Sequence, residues 1–251
     1  MNQLSAVVIT FNEEKNIGRC LESLQGVVDE ILVLDSFSTD RTEEICKSYG
    51  VRFEQHNFDG HIQQKNRAMQ KAQFDYVLSL DADEALDQTL KQEIIRLKKN
   101  GLSGAYKFNR MTRYIDRWIK HSGWYPDTKI RLWNRKSGRW GGLNPHDRVE
   151  LDQNVDVTHL RGNLLHYSYY SIEEHIRQSN YFSTISAKAL FAKGKKGNLA
   201  KAILKSWWIF IRNYFFKVGF LDGVYGYVIC KQTATTTFAK YMKLRDLNRG
   251  V

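Results

Sequence analysis

The sequence predicts an α/β fold: a mostly parallel sheet flanked by helices, followed by a C-terminal helical extension. Three observations predict it. Over the first hundred residues, short apolar and β-branched runs alternate with segments of helical periodicity. Acidic or polar clusters close three of those runs, at Thr10–Glu14, Asp35–Asp40 and Asp81–Asp83. From Ser171 onward the apolar period is helical throughout. The expected domain organisation is therefore residues 1–170 as an α/β unit and residues 171–251 as a basic, aromatic-rich helical extension.

Each element follows from its own residues. Leu4–Thr10 (LSAVVIT) is a continuous apolar run, as a parallel strand covered on both faces requires. Asn12 is placed to cap the next helix, where Ile17, Leu21 and Leu24 fall on one face. Glu30–Leu34 is the second strand and ends on Asp35. The turn Ser36–Asp40 leads into a helix that stops at Gly50, a residue suited to a helix C-terminus. Val51–Glu54 reads as a short third strand, Ile62–Ala72 as a third helix, and Tyr76–Leu80 as a fourth strand running into Asp81-Ala82-Asp83. A helix then covers about Asp87 to Asn100. Alternation with short connections makes the strands parallel, and ligands of such sheets bind beyond the carboxyl ends of the strands. In the extension, Ile172–Phe191, Leu199–Lys217 and Leu221–Leu244 are the expected helices, with a basic turn at Lys193–Gly197 between the first two.

Composition narrows the function. The 251 residues carry a net charge of +11, which first suggests nucleic acid or an anionic membrane as partner. The charge is uneven: residues 1–100 hold 12 basic and 17 acidic side chains, whereas from Lys188 onward the count is 13 against 2. The acidic front is therefore read for different chemistry from the basic back. Cys20, Cys46 and Cys230 are too few and scattered for a disulfide framework or zinc site and read as buried, reduced thiols. The start, MNQLSAVVITFNEE, has no basic segment ahead of a long apolar run, so a cytoplasmic location is expected. Arg212, Lys217 and Asp222 interrupt the most apolar late stretch, Trp207 to Cys230, which argues against a membrane span.

The chemistry-bearing motif is Asp81-Ala82-Asp83. Two carboxylates two residues apart at a strand end can point the same way, and hard oxygen donors beside a crevice suit Mg²⁺ or Mn²⁺. The plainer alternative is a polar loop with a helix-capping Asp. No G-x-G-x-x-G follows the first strand and no G-x-x-x-x-G-K-[ST] occurs, so any bound nucleotide is not gripped by a glycine-rich loop.

The segments VVITFNEEKNI, EILVLDSFSTDRT and KNRAMQKAQFDYVLSLDADE resemble the front of family 2 glycosyltransferases of the GT-A fold. RLWNRKSGRWGGLNPHDRVEL, LLHYSYYSIEEHIRQSNYFS and FLDGVYGYVI are similar to the lipopolysaccharide-core β-1,4-glucosyltransferase subgroup, so the resemblance spans nearly the whole chain. It implies that Thr10, Phe11 and Glu13 line a nucleotide pocket and that Asp35 meets the base. Lys65 and Arg67 would lie near base and phosphates, with exposed helix charges as the alternative. Asp81 would contact the ribose or a metal-bound water, Asp83 would coordinate the metal, and His166 would be a further metal or diphosphate ligand or else a core or capping histidine.

An inverting transferase also needs a carboxylate to take the acceptor proton. Asp147, in Asn144-Pro145-His146-Asp147-Arg148, is the candidate base; a loop Asp paired with Arg148 is the alternative, and Asp127 is the fallback. Relatives often read V-H-E where this chain reads P-H-D, one methylene shorter. His121 and His159 are expected to be structural or surface residues, and Trp118, Trp124, Tyr125 and Trp133 to offer faces for a sugar. The expected activity is metal-dependent, inverting transfer of a hexose, glucose from UDP-glucose first among them, to a lipid-linked glycan such as the lipopolysaccharide core. That setting implies peripheral contact with an anionic membrane at the cytoplasmic face of the inner membrane, although the helical extension also suits a homo-oligomer. Two other classes compete. A haloacid-dehalogenase-like phosphatase would use the D-x-D strand end, but normally on a first strand and followed by Thr or Val, not by Glu84. A non-catalytic nucleic-acid-binding module would exploit +11, against an acidic front.

Overall fold

The structure, a computed structural model, describes residues 3–143 and 146–250, without the side chains of Leu143 and His146. Asn144, Pro145 and the His146 side chain of the P-H-D segment thus lie outside the described residues. The chain forms two compact units. One comprises the chain up to Arg110 together with Asp127–Tyr167, and the other comprises Met111–Pro126 with the chain from Ser168 onward.

The first unit opens as β1 (Leu4–Thr10), α1 (Ile17–Leu24), β2 (Glu30–Asp35), α2 (Thr42–Ser48), β3 (Arg52–Gln55), α3 (His61–Lys71) and β4 (Tyr76–Asp81). It continues through β5 (Glu84–Leu86), α4 (Gln88–Asn100), β6 (Ala105–Tyr114), then β7 (Arg117–Trp118), β8 (Asp127–Asn134), β9 (Gly138–Leu143), β10 (His146–Leu151) and β11 (Val157–Tyr169). Strands β6 and β11 each run on into residues of the second unit, and β7 belongs to it. The sheet order is β3-β2-β1-β4-β8-β6-β11-β5, with β9 and β10 forming a separate antiparallel hairpin. Strands β3, β2, β1 and β4 are parallel and β8 joins β4 antiparallel, so the expected mostly parallel α/β fold holds.

Alternation along each strand divides the core. Leu4, Ala6 and Val8 of β1 pack with Val33, Leu78 and Leu80 in one cluster, which receives α1 and α4 through Leu21, Leu24, Leu90 and Ile94. Val7, Leu32, Leu34 and Val77 point to the other face, where Ala68 and Met69 of α3 meet Trp133 and Trp140. Coverage on both faces is why these strands read as unbroken apolar runs. All three cysteines are buried and unpaired with one another, as expected.

Three expectations are corrected. Asn12 does not cap α1: it adopts φ 53° and its side-chain oxygen accepts the Thr39 N–H at 2.8 Å, joining the loop after β1 to the loop after β2. Trp133 is fully buried and edge-on to Trp140, so it has no face for a sugar. The helix expected over 199–217 ends early.

That break lies in the second unit, which holds α5 (Ile172–Ala192), α6 (Leu199–Ile211) and α7 (Gly223–Arg249). After α6 the chain widens into a π turn over Arg212–Phe216 and a short 3₁₀ turn over Gly219–Asp222. Close backbone approach requires glycine here: a Cβ on Gly226 would stand 1.9 Å from the Gly219 carbonyl oxygen. Buried Asp222 accepts from the backbone N–H groups of Lys120 and His121 and from the Ser122 hydroxyl, and lies 3.0 Å from His121 Nδ1. His121 is thus structural, as expected. Trp124 packs with Tyr114, Tyr169 and His175. Burial holds His175 down near a pKa of about 4.

Candidate active site

Register brings the three strand ends together. Thr10 stands opposite Asp35, Ile9 opposite Asp81, and Asp35 opposite Gln55. The carboxyl edge of the parallel strands therefore carries the polar clusters side by side, where α/β sheets bind ligands. The loops above it are stitched together: Asn12 N–H donates to Ser38 Oγ at 2.8 Å, Glu13 N–H to Thr42 Oγ1 at 2.9 Å, and Glu14 N–H to Asp40 Oδ2 at 3.0 Å.

The floor of this edge is a buried charge cluster. Lys65 of α3, only 4% exposed, lies 3.0 Å from Asp81 and 2.7 Å from Asp147 of β10. Its ammonium also sits 4.4 Å from the centre of the Trp140 ring, a cation–π contact that keeps the charge favourable out of water. Arg131 of β8, 3% exposed, pairs with Glu84 at 2.7 Å and Asp81 at 3.3 Å. Burial alone would raise the Asp81 carboxyl, but Lys65 and Arg131 outweigh it and hold Asp81 well below the usual carboxylate range. Trp140 is itself fixed: Asn66 donates to its carbonyl at 2.8 Å and accepts its N–H at 3.0 Å, while the indole N–H donates to Ser79 Oγ at 3.1 Å.

The two aspartates of the D-x-D motif do not share one partner. Asp83 lies in the turn beyond β4, and its carboxylate is 3.1 Å from His166 Nε2. Pairing of β5 with β11 makes that contact: His166 stands opposite Glu84, and the Tyr167 N–H donates to the Asp83 carbonyl at 2.9 Å. Among the described residues no three His, Cys, Asp or Glu side chains converge as a metal cage. Asp83 and His166 form a two-donor set instead, which fits a hexacoordinate ion whose other positions belong to water and phosphate oxygens. Negative charge is also crowded here. Burial first, and then Asp83, Asp40 and Asp81, push Glu13 up to about 7 against the hydrogen bond from Asn16.

The remaining expected residues fall at different places. Thr10 Oγ1 is buried without a hydrogen-bond partner, an orphaned group at the end of β1. Phe11 is exposed on the adjoining loop. Asp35 is fully buried, and its carboxylate accepts from the Ser38 backbone and hydroxyl and from Gln55. Arg67 forms a two-point ion pair with Asp59 at 2.8 and 3.0 Å. Asp127 pairs with Arg110 at 2.8 Å and Lys129 at 2.9 Å; burial pushes its carboxyl up, and these cations outweigh that and lower it. Sequence reasoning missed Glu84, Arg131 and Trp140. One signal was available: an arginine inside the apolar strand Ile130-Arg131-Leu132-Trp133 needs a buried partner.

Residues 5–150 match the family model for glycosyl transferase family 2, which covers more than half of the chain. The chain belongs to glycosyl transferase family 2. It is 32% identical over 267 aligned residues to an uncharacterized glycosyltransferase of Rickettsia typhi, covering 99% of this chain and 88% of the relative. It is also 28% identical to the lipopolysaccharide core biosynthesis glycosyltransferase LpsC of Rhizobium meliloti, over 95% of this chain and 93% of LpsC. Among solved structures, residues 1–349 of S. aureus TarS align with a TM-score of 0.49 and 15% identity, covering 99% of this chain and 92% of that one. This family 2 member is a nucleotide-sugar-dependent transferase, which displaces the phosphatase alternative.

Proposed function

We propose that this family 2 enzyme is a metal-dependent, inverting hexosyltransferase that moves glucose from UDP-glucose to a lipid-linked glycan of the lipopolysaccharide-core type. One observation carries the reading: Thr10, Asp35 and Asp81 end adjacent strands at the edge where Asp83 meets His166 and Lys65 draws in Asp147. Transfer breaks a bond to an anionic leaving group while an acceptor hydroxyl loses its proton. Thr10, Phe11 and Glu13 line the nucleotide pocket, with Asp35 bracing the loop that meets the base. Lys65, buried beside Asp81 and Asp147, faces the diphosphate. When bound, a divalent ion offsets charge developing on the leaving diphosphate, and Asp83 and His166 are the side chains that would hold Mg²⁺ or Mn²⁺. Asp147 accepts the proton of the attacking hydroxyl; Asp127, held by two cations, is the weaker candidate. The likeness to LpsC supports the acceptor class. Such an acceptor places the enzyme at the cytoplasmic face of the inner membrane, with the basic C-terminal helices as the contact.

Calorimetry with UDP tests this reading. UDP is expected to bind in the presence of Mn²⁺, and Asp83→Ala to weaken that binding at least tenfold. Absence of binding by UDP and every other nucleoside diphosphate, with no effect of Asp83→Ala, would overturn it.

A further inference from the structure

Helix α6 presents three different faces. At about 100° per residue, Ile203, Leu204, Trp207, Trp208 and Ile211 share one stripe. Lys201, Lys205 and Arg212 follow along one edge of it, and Ala202, fully buried, marks the inward side. The outward stripe is uncovered: Leu204 is 66% and Trp207 63% exposed. It does not stop at the helix end. The Trp208 ring lies 6.0 Å from Phe216, which the π turn leaves 70% exposed, and Val224 at the start of α7 is 76% exposed. Soluble surfaces rarely leave a contiguous apolar patch of this kind without an occupant.

Two occupants are physically available, a second copy of the chain and a lipid surface, and charge separates them. A two-fold contact would set the same cations against one another. From Lys188 onward only Asp222 and Asp246 could answer 13 basic residues, and Asp222 is buried with its oxygens taken by Lys120, His121 and Ser122. Anionic headgroups answer those charges and leave the aromatic stripe at the acyl boundary. Among the described residues no helix is long and apolar enough to cross a membrane.

We propose, resting on the membrane contact in the proposed function, that α6 and its π turn lie in the plane of an anionic bilayer, with Trp207, Trp208 and Phe216 inserted as a wedge and the protein monomeric on the surface. The wedge reaches the upper acyl chains, while Lys201, Lys205 and Arg212 stay at headgroup level.

Sedimentation of the full chain with phosphatidylglycerol-containing vesicles, against phosphatidylcholine vesicles, tests the surface. Wild type is expected to sediment with the anionic vesicles and to have its tryptophan fluorescence quenched by acyl-brominated lipid. Trp207→Glu with Trp208→Glu should lower vesicle binding at least tenfold. Trp207→Phe with Trp208→Phe should still sediment but lose most of the quenching. Wild-type protein that stays in solution at low salt, or sediments without quenching, would overturn the wedge. So would a dimer that the double Glu variant dissociates. UDP calorimetry on the same variants keeps the two readings apart: donor binding should be unchanged in them, so wild type that binds UDP but not vesicles sinks the wedge alone, and loss of UDP binding in wild type sinks the transferase mechanism.

Discussion

Lys65 shows how one side chain organises a site that spans more than eighty residues of sequence. Its ammonium reaches Asp81 at 3.0 Å and Asp147 at 2.7 Å, and the Trp140 ring covers it. A lone buried ammonium would be expelled or neutralised, so the two carboxylates and the ring are what keep it in place. In return Lys65 fixes where Asp147 stands. Removing the Asp147 charge while keeping its shape separates binding from chemistry. Asp147→Asn is expected to lower the transfer rate by about 10²–10⁴-fold, the range of a lost general base, while UDP affinity measured by calorimetry stays within a few fold. Normal turnover in that variant would assign the base elsewhere.

Among the elements, the loops after β1 and β2 act as one piece. Asn12 sits at φ 53°, a conformation that Asn tolerates and Ala does not, and its side chain ties the Thr39 backbone to it. Asn12→Ala loses the hydrogen bond and strains the backbone, a combined cost of about 2 kcal/mol. Asn12→Gly keeps the backbone freedom and loses the bond alone, so it should cost less. Urea denaturation of the two variants measures the difference; equal stability of both with wild type would show that the loops do not depend on this tie. Because Phe11 and Glu13 ride on the same loop, UDP affinity should fall in the same order.

At the scale of the whole molecule, half-buried Glu13 and buried His175 oppose each other in pH. Glu13 rises from 4.5 to about 7 on folding, chiefly by burial, so the folded chain binds the extra proton and stability falls as pH climbs through that window. His175 drops from 6.5 to about 4, again by burial, so the unfolded chain binds the extra proton and stability grows as pH climbs from 4 to 6.5. Each effect is on the order of 3 kcal/mol across its window, and between pH 4.5 and 6.5 the two slopes cancel. Glu13→Gln removes one of them. Its stability should therefore rise with pH across that window while wild type stays nearly flat, as urea midpoints at several pH values would show. Asp81 adds a separate loss below its unfolded value of 3.8, because its folded carboxyl is held low by Lys65 and Arg131.

Much of this molecule was legible in its residues alone. Apolar period and turn chemistry are local properties, so the strands, the helices and the polar ends at Thr10, Asp35 and Asp81 follow from neighbours along the chain. Parallel pairing then places those ends at one edge, and the motifs placed the chain in its family. Other features depend on register between distant segments. That Asp81 and Asp83 face different partners follows from the pairing of β5 with β11, and the meeting of Arg131 with Glu84 from the antiparallel pairing of β8 with β4. Lys65 finds Asp147 because α3 packs against the β9–β10 hairpin, and Asn12 leaves α1 uncapped because its side chain is bonded to the loop after β2. The sequence by itself determined which groups stand at the strand ends, since hydrophobic period decides where strands stop. Only the tertiary structure decided which charge neutralises which, because a buried ion pair is stable only when packing brings both partners within hydrogen-bonding distance.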